Sequence, residues 1–106
     1  MKTSTGRATK AQADRWERFQ RVGCICCRKR GYYSIPEVHH LLSGNRRRGH
    51  DFTIPLCPWH HRGIEPPPVD VGPSFADGSK PFRACFGSDD ELLDETNRLL
   101  GNDQAI

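Results

Sequence analysis

Two short knuckles, Cys24-x-x-Cys27 and Cys57-x-x-His60, constrain this chain more than any other feature. Together they offer four sulfur and nitrogen donors, the number a closed tetrahedral zinc site takes. A chain of 106 residues with 35% apolar residues buries little hydrophobic surface, so a structural ion is an economical way to hold it together. Such an ion contributes on the order of 10 kcal/mol to folding. A C-x-x-C pair alone also fits a redox centre or a thiol-based metal sensor, but no βαβ pattern follows Cys27. Cys26 competes with its neighbours for the ion. Ligands two residues apart do not easily share one tetrahedral site, so Cys26 and Cys85 are read as free, buried thiols. The odd count of five cysteines argues against a disulfide framework.

The pattern around the knuckles predicts one α+β domain. Residues 1–8 carry no periodicity and are expected to be disordered, with the folded domain at 9–101 and a tail at 102–106. Ala13, Trp16, Phe19 and Val22 line one face of a helix expected over 9–22, stopped by Gly23. The CICC segment is expected on a tight turn. Strands are expected at 38–42 and 52–56, joined as a hairpin whose long tip is the basic loop 43–49. Pro55 belongs at the edge or end of its strand. A short helix at 58–62 would begin with Pro58 in its first turn and stop at Gly63. The Pro/Gly-rich stretch 64–78 reads as an extended arm, and 79–86 as a helical turn. Ser88 and Glu91 have capping-box spacing, opening a last helix lined by Leu92, Leu93, Thr96, Leu99 and Leu100.

Charge is divided unevenly. Residues 1–63 hold 13 Lys/Arg against 4 Asp/Glu, and residues 64–106 hold 3 against 9. A basic half is the footprint of a polyanion binder, although charge runs are as often plain solvated surface. Arg28, Lys29 and Arg30 follow the first knuckle, Arg46, Arg47 and Arg48 fill the hairpin tip, and Arg62 ends the short helix. These seven are the candidate phosphate contacts, which position DNA without reading its sequence. The alternative for Arg46–Arg48 is a solvated, mobile loop. No apolar run approaches the roughly 20 residues of a membrane span, and the N-terminus lacks the apolar stretch of a signal peptide. A cytoplasmic location is expected.

The histidines suggest chemistry. His39 and His40 are adjacent on a strand and so face opposite sides. His61 follows the knuckle residue His60 on a helix and points about 100° away from it. Hydrolysing a phosphodiester needs a base near neutral pH and a divalent cation at the phosphate oxygens.

The string C-x-x-C … E-V-H-H-L … D-F-T-I-P-L-C-x-x-H-H resembles the HNH endonuclease pattern. GCICCRKRGYYSIPEVHHLLSG (23–44), GHDFTIPLCPWHHRG (49–63) and GPSFADGSKPFRACFGS (72–88) are similar to the phage recombination-enhancement nucleases, which cut DNA where RecA is bound. The resemblance covers about residues 9–100. It implies a small zinc-stapled ββα-metal (HNH, or His-Me finger) domain with a two-stranded hairpin, flanking helices and long loops. It also implies a largely sequence-independent DNA endonuclease, a RecA filament as partner, and a phage or prophage origin in a bacterial host. Position by position, it makes His40 the general base, His39 and His61 the ligands of a catalytic Mg²⁺ or Mn²⁺, and Asp51 the residue that orients His40. Cys24, Cys27, Cys57 and His60 hold the structural Zn²⁺. Many relatives have Asp at the place of His39, and a histidine there softens the site toward zinc or manganese. Asp51 stands one residue earlier than the usual Asn, which leaves His50 as an alternative. A non-catalytic zinc module that binds nucleic acid or protein is the competing reading, but it leaves His39, His40 and His61 without a purpose.

Overall fold

The computed structural model describes residues 7–104, with side chains through 101. Of the tail expected at 102–106, residues 102–104 continue the last helix, while 105–106 and most of the N-terminal segment expected to be disordered lie outside the described residues. Helix α1 (Lys10–Val22) opens on Thr9, whose hydroxyl accepts from the Gln12 N–H while the Gln12 side chain accepts from the Thr9 N–H. This reciprocal cap satisfies two amides that the helix cannot bond itself. Phe19 and Val22 bury one face against Leu100, with Trp16, Val38 and Leu99 at the margin. The helix stops at Gly23, where φ is 76° and a Cβ would lie 2.7 Å from the Tyr33 ring. Only glycine fits both the angle and the space.

The CICC segment departs from the expected tight turn. It forms a short helix, α2 (Ile25–Lys29), with Cys24 at its N-cap and the Cys24 sulfur accepting from the Cys27 N–H. Strands β1 (Glu37–His40) and β4 (Thr53–Leu56) pair antiparallel, with His39 opposite Ile54 and His40 opposite Thr53. The expected strand 38–42 is interrupted at Leu41, whose N–H still donates to Phe52 O at 2.9 Å. Pro55 is tolerated because a two-stranded ladder leaves one side of β4 unpaired. The tip is more ordered than a basic loop. A second small ladder joins β2 (Leu42–Ser43) to β3 (Arg46–Arg47) around Gly44.

Helix α3 (Pro58–Arg62) follows β4 at once, with Pro58 in its first turn and Gly63 closing it at φ 74°. The arm 64–78 passes back over α3. The Trp59 indole N–H donates to Gly72 O at 2.9 Å, and a 3-10 turn covers Phe75–Asp77. Helix α4 (Ser79–Phe86) buries Phe82 and Phe86. Cys85 is exposed beside Arg30, which corrects the expectation of a buried thiol. Phe82 and Phe86, one helical turn apart, already occupy the inward face. Helix α5 (Asp89–Gln104) begins with the Ser88–Glu91 capping box and packs Leu92 and Leu93 inward.

The main core joins Ile25, Leu41, Ile54, Leu56, Phe82, Phe86 and Leu92 to the buried Cys24, Cys27 and Cys57. The fold is therefore α+β, with short antiparallel pairs wrapped by helices around a cysteine cluster. Among the described residues, no helix is long and apolar enough to cross a membrane.

Candidate metal centre and histidine site

Cys24 and Cys27 reach the cluster from the start of α2, and Cys57 and His60 from the junction of β4 with α3. All four are buried, and their ligand atoms lie within 4.8 Å of one another. The Cys27 and Cys57 sulfurs are 3.7 Å apart, and His60 Nδ1 lies 3.3, 3.5 and 3.4 Å from Cys24, Cys27 and Cys57. Bonds of ~2.3 Å to sulfur and ~2.0–2.1 Å to nitrogen, set tetrahedrally, require edges of roughly 3.5–3.8 Å. The donor set thus fits a structural zinc ion. The far nitrogen of His60, Nε2, lies 2.8 Å from Val71 O. It donates there, which leaves Nδ1 free to ligate. Val71 belongs to the arm, so the ion site also anchors that segment.

The four side chains act on one another's proton affinity. Burial pushes the Cys24 thiol up, and the bond from Cys24 does the same for Cys27. Bonds from both hold Cys57 down. Burial alone would lower His60, but bonds to Cys27, Cys57 and Val71 raise it to about 9.

Cys26 is fully buried in the same core but stands outside the four-residue set.

The other histidines fall into two adjoining pairs. His39 and Glu37 share one face of β1, and α3 lies against it. The His39 and His61 rings meet edge to face with centroids 4.9 Å apart, and Phe75 closes on His39 at 5.1 Å. His61 Nδ1 lies 3.0 Å from Glu37 Oε1. Arg62 grips the same carboxylate, with Nε to Oε1 at 2.9 Å and a terminal nitrogen on Oε2. The Arg62 bond holds Glu37 below the usual carboxylate range.

His40 turns to the other face of β1. Its Nε2 lies 3.0 Å from His50 Nδ1, and Trp16 packs edge-on against both rings. Trp16 also donates to Thr53 Oγ1 at 3.0 Å, and that hydroxyl donates to His50 O at 3.0 Å. This chain of contacts fixes the turn that carries His50. Asp51 is exposed on the turn, where its charge acts on Arg15.

Burial, with His61 beside it, lowers His39 to about 4. Burial, with Arg47, His50 and His61 nearby, lowers His40 to about 4 as well. Both rings are neutral at pH 7. His61 acts electrostatically on both, so the two pairs share one neighbourhood.

The family model for recombination enhancement, RecA-dependent nucleases matches residues 8–101. The chain belongs to this family. No curated protein matches the chain. Membership in the RecA-dependent nuclease family makes the chain a phosphodiester hydrolase with a nucleic acid substrate and a role in recombination.

In this RecA-dependent nuclease, most of the candidate phosphate contacts have protein partners. Arg28 donates to Val22 O, Lys29 pairs with Glu95, and Arg30 lies over Phe86 and donates to Cys85. Arg48 pairs with Asp90 at 2.7 Å, and Arg62 pairs with Glu37. Arg46 and Arg47 sit on β3, and Arg47 is near enough to act on His40. Sequence reasoning missed Glu37. The signal for it was its position two residues before His39, which puts both on one face of a strand.

Proposed function

We propose that this chain is a metal-dependent HNH deoxyribonuclease of the ββα-metal type, cutting RecA-bound DNA with little sequence preference. The observation that carries the reading is the meeting of His39 and His61 rings 4.9 Å apart across β1 and α3. The β1–β4 hairpin running straight into α3 supports the ββα description.

The donors suit a divalent cation: two neighbouring imidazoles, with a carboxylate behind one of them. Mg²⁺ or Mn²⁺ is the expected occupant, and two nitrogen donors let Zn²⁺ compete. When bound, the cation supplies charge stabilisation at a non-bridging phosphate oxygen and at the leaving O3′.

His40 is neutral at pH 7 and takes a proton from water. His50 is the residue that orients it, through the 3.0 Å contact between their nitrogens. Asp51 plays that part less directly, since its side chain is exposed on the turn beyond. The nitrogen of His40 that faces His50 is occupied by that contact. Proton transfer therefore uses either the opposite nitrogen or a small rotation of the ring once DNA is bound. Arg46 and Arg47 meet the phosphate backbone next to the histidines.

A plasmid-nicking and single-strand cleavage assay tests the proposal, with added Mg²⁺ or Mn²⁺, with and without RecA and ATP. His40→Ala should lower the cutting rate by about 10²–10⁴-fold, the worth of a positioned base, and leave the zinc content unchanged. Cutting at the wild-type rate by His40→Ala would remove His40 from the mechanism. No cation-dependent cutting under any of these conditions would favour a zinc-bound binding module.

A further inference from the structure

A histidine can ligate a cation through only one ring nitrogen at a time, and only when that nitrogen carries no proton. Which nitrogen is free depends on what the other one bonds. His61 Nδ1 lies 3.0 Å from Glu37 Oε1. Glu37 is itself held from two directions, by its place in β1 opposite Leu56 and by Arg62 on both carboxylate oxygens. An ionised carboxylate only accepts hydrogen bonds, so Nδ1 must be the donor. Nε2 is then left with its lone pair.

One carboxylate therefore joins the two elements that carry the histidine pair. Glu37 shares a strand face with His39, and it receives His61 and Arg62 from consecutive positions of α3. The Glu37 and His61 side chains are partly shielded, at 30% and 26% exposed, while Arg62 covers them from the solvent side at 52%. A bond in such a place is less readily replaced by water than a surface contact.

We propose that Glu37 is a positioning residue for the catalytic cation: clamped by Arg62, it fixes His61 in the Nδ1–H tautomer and presents Nε2 as the ligand atom. The proposal rests on the reading of His61 as a ligand, and two measurements separate the two claims.

The first needs no catalytic cation. Long-range ¹H–¹⁵N spectra of the zinc-loaded protein report which nitrogen of His61 is protonated. The expected result is Nδ1–H in wild type and in Glu37→Gln, whose amide oxygen still accepts, with the Nε2–H form gaining in Glu37→Ala. An Nε2–H tautomer in the wild type overturns the proposal.

The second is titration with Mn²⁺. Glu37→Ala should weaken Mn²⁺ binding by about 10–100-fold, the usual effect of losing an outer partner of a ligand, and Glu37→Gln should recover most of it. If His61→Ala weakens Mn²⁺ binding and Glu37→Ala does not, the positioning role is wrong. If His61→Ala leaves Mn²⁺ affinity unchanged, His61 is not a ligand and the role of Glu37 toward the cation falls with it.

Discussion

His39 and His40 are neighbours in sequence, but the pleat of β1 sends them to different partners. One meets His61 and Phe75, the other His50 and Trp16. Their shared property is a proton affinity lowered to about 4, by burial first and by nearby cationic and imidazole groups second. In the unfolded chain both rings titrate near 6.5. Between these values the unfolded chain takes up protons that the native state refuses, so stability is lost as pH falls from about 6.5 toward 4. With zinc retained and no other cation added, Tm should drop on acidification from pH 7 to pH 5. The drop should be smaller in a His39→Asn, His40→Asn double variant, as seen by thermal melts with zinc content checked at each pH. An equally steep loss in the double variant would mean that other groups govern the acid limb. That these two histidines face different partners was legible in the sequence, because adjacent residues on a strand point to opposite sides. The partner of His40 was not settled there. Whether His50 or Asp51 reaches it depends on how the 49–52 turn closes, and that is decided by Thr53 at its end together with Trp16, far away in sequence.

At the scale of elements, local chemistry carried some predictions and tertiary contacts carried the others. Helices α1 and α3 were readable because a threefold apolar spacing, Pro58 and two stop glycines are local signals. Helix α2 was not, since CICC is too short to show a period and its cap is a sulfur that accepts from a backbone amide. The β2–β3 ladder was hidden within SGNRRRG, whose composition reads as loop. The two knuckles were the most legible of all, because they are defined by spacing, and each lies on a separate element that the cluster must bring together. Their energetic weight can be tested against Cys26, which is equally buried but outside the ligand set. Cys57→Ala should abolish stoichiometric zinc and leave the chain largely unfolded, since on the order of 10 kcal/mol of folding free energy goes with the ion. Cys26→Ala should keep one zinc per chain and lose only about 1 kcal/mol, the scale of one small buried group. Zinc analysis alongside denaturant unfolding makes the comparison. Loss of the ion from Cys26→Ala would instead place Cys26 among the ligands.

Over the whole molecule, the acidic second half of the chain folds back onto the basic first half. Helix α5 sets Glu95 against Lys29 and Asp90 against Arg48, while Asp89 pairs with Arg83 of α4. A charge count along the sequence finds the imbalance but not this closure, because the pairs are 66 and 42 residues apart. Helix α5 thus engages two of the seven candidate phosphate contacts with carboxylates that a DNA backbone would have to displace, and Glu37 engages a third, Arg62. Surface pairs of this kind are worth about 0–1 kcal/mol each, so removing them should leave the fold intact. An Asp90→Asn, Glu95→Gln variant frees Lys29 and Arg48 from their carboxylates and removes two negative charges beside them. If both cations then contact phosphates, single-stranded DNA should bind more tightly at low salt. The slope of log K against log salt should also steepen, by about 0.7 for each added contact. Fluorescence anisotropy across a salt series measures both quantities. Tighter binding with no change in slope would show that the carboxylates act only by general repulsion. An unchanged affinity would place the DNA path elsewhere, leaving Arg47 on β3, which acts on His40, as a basic residue of the first half beside the histidines and outside the α5 pairs.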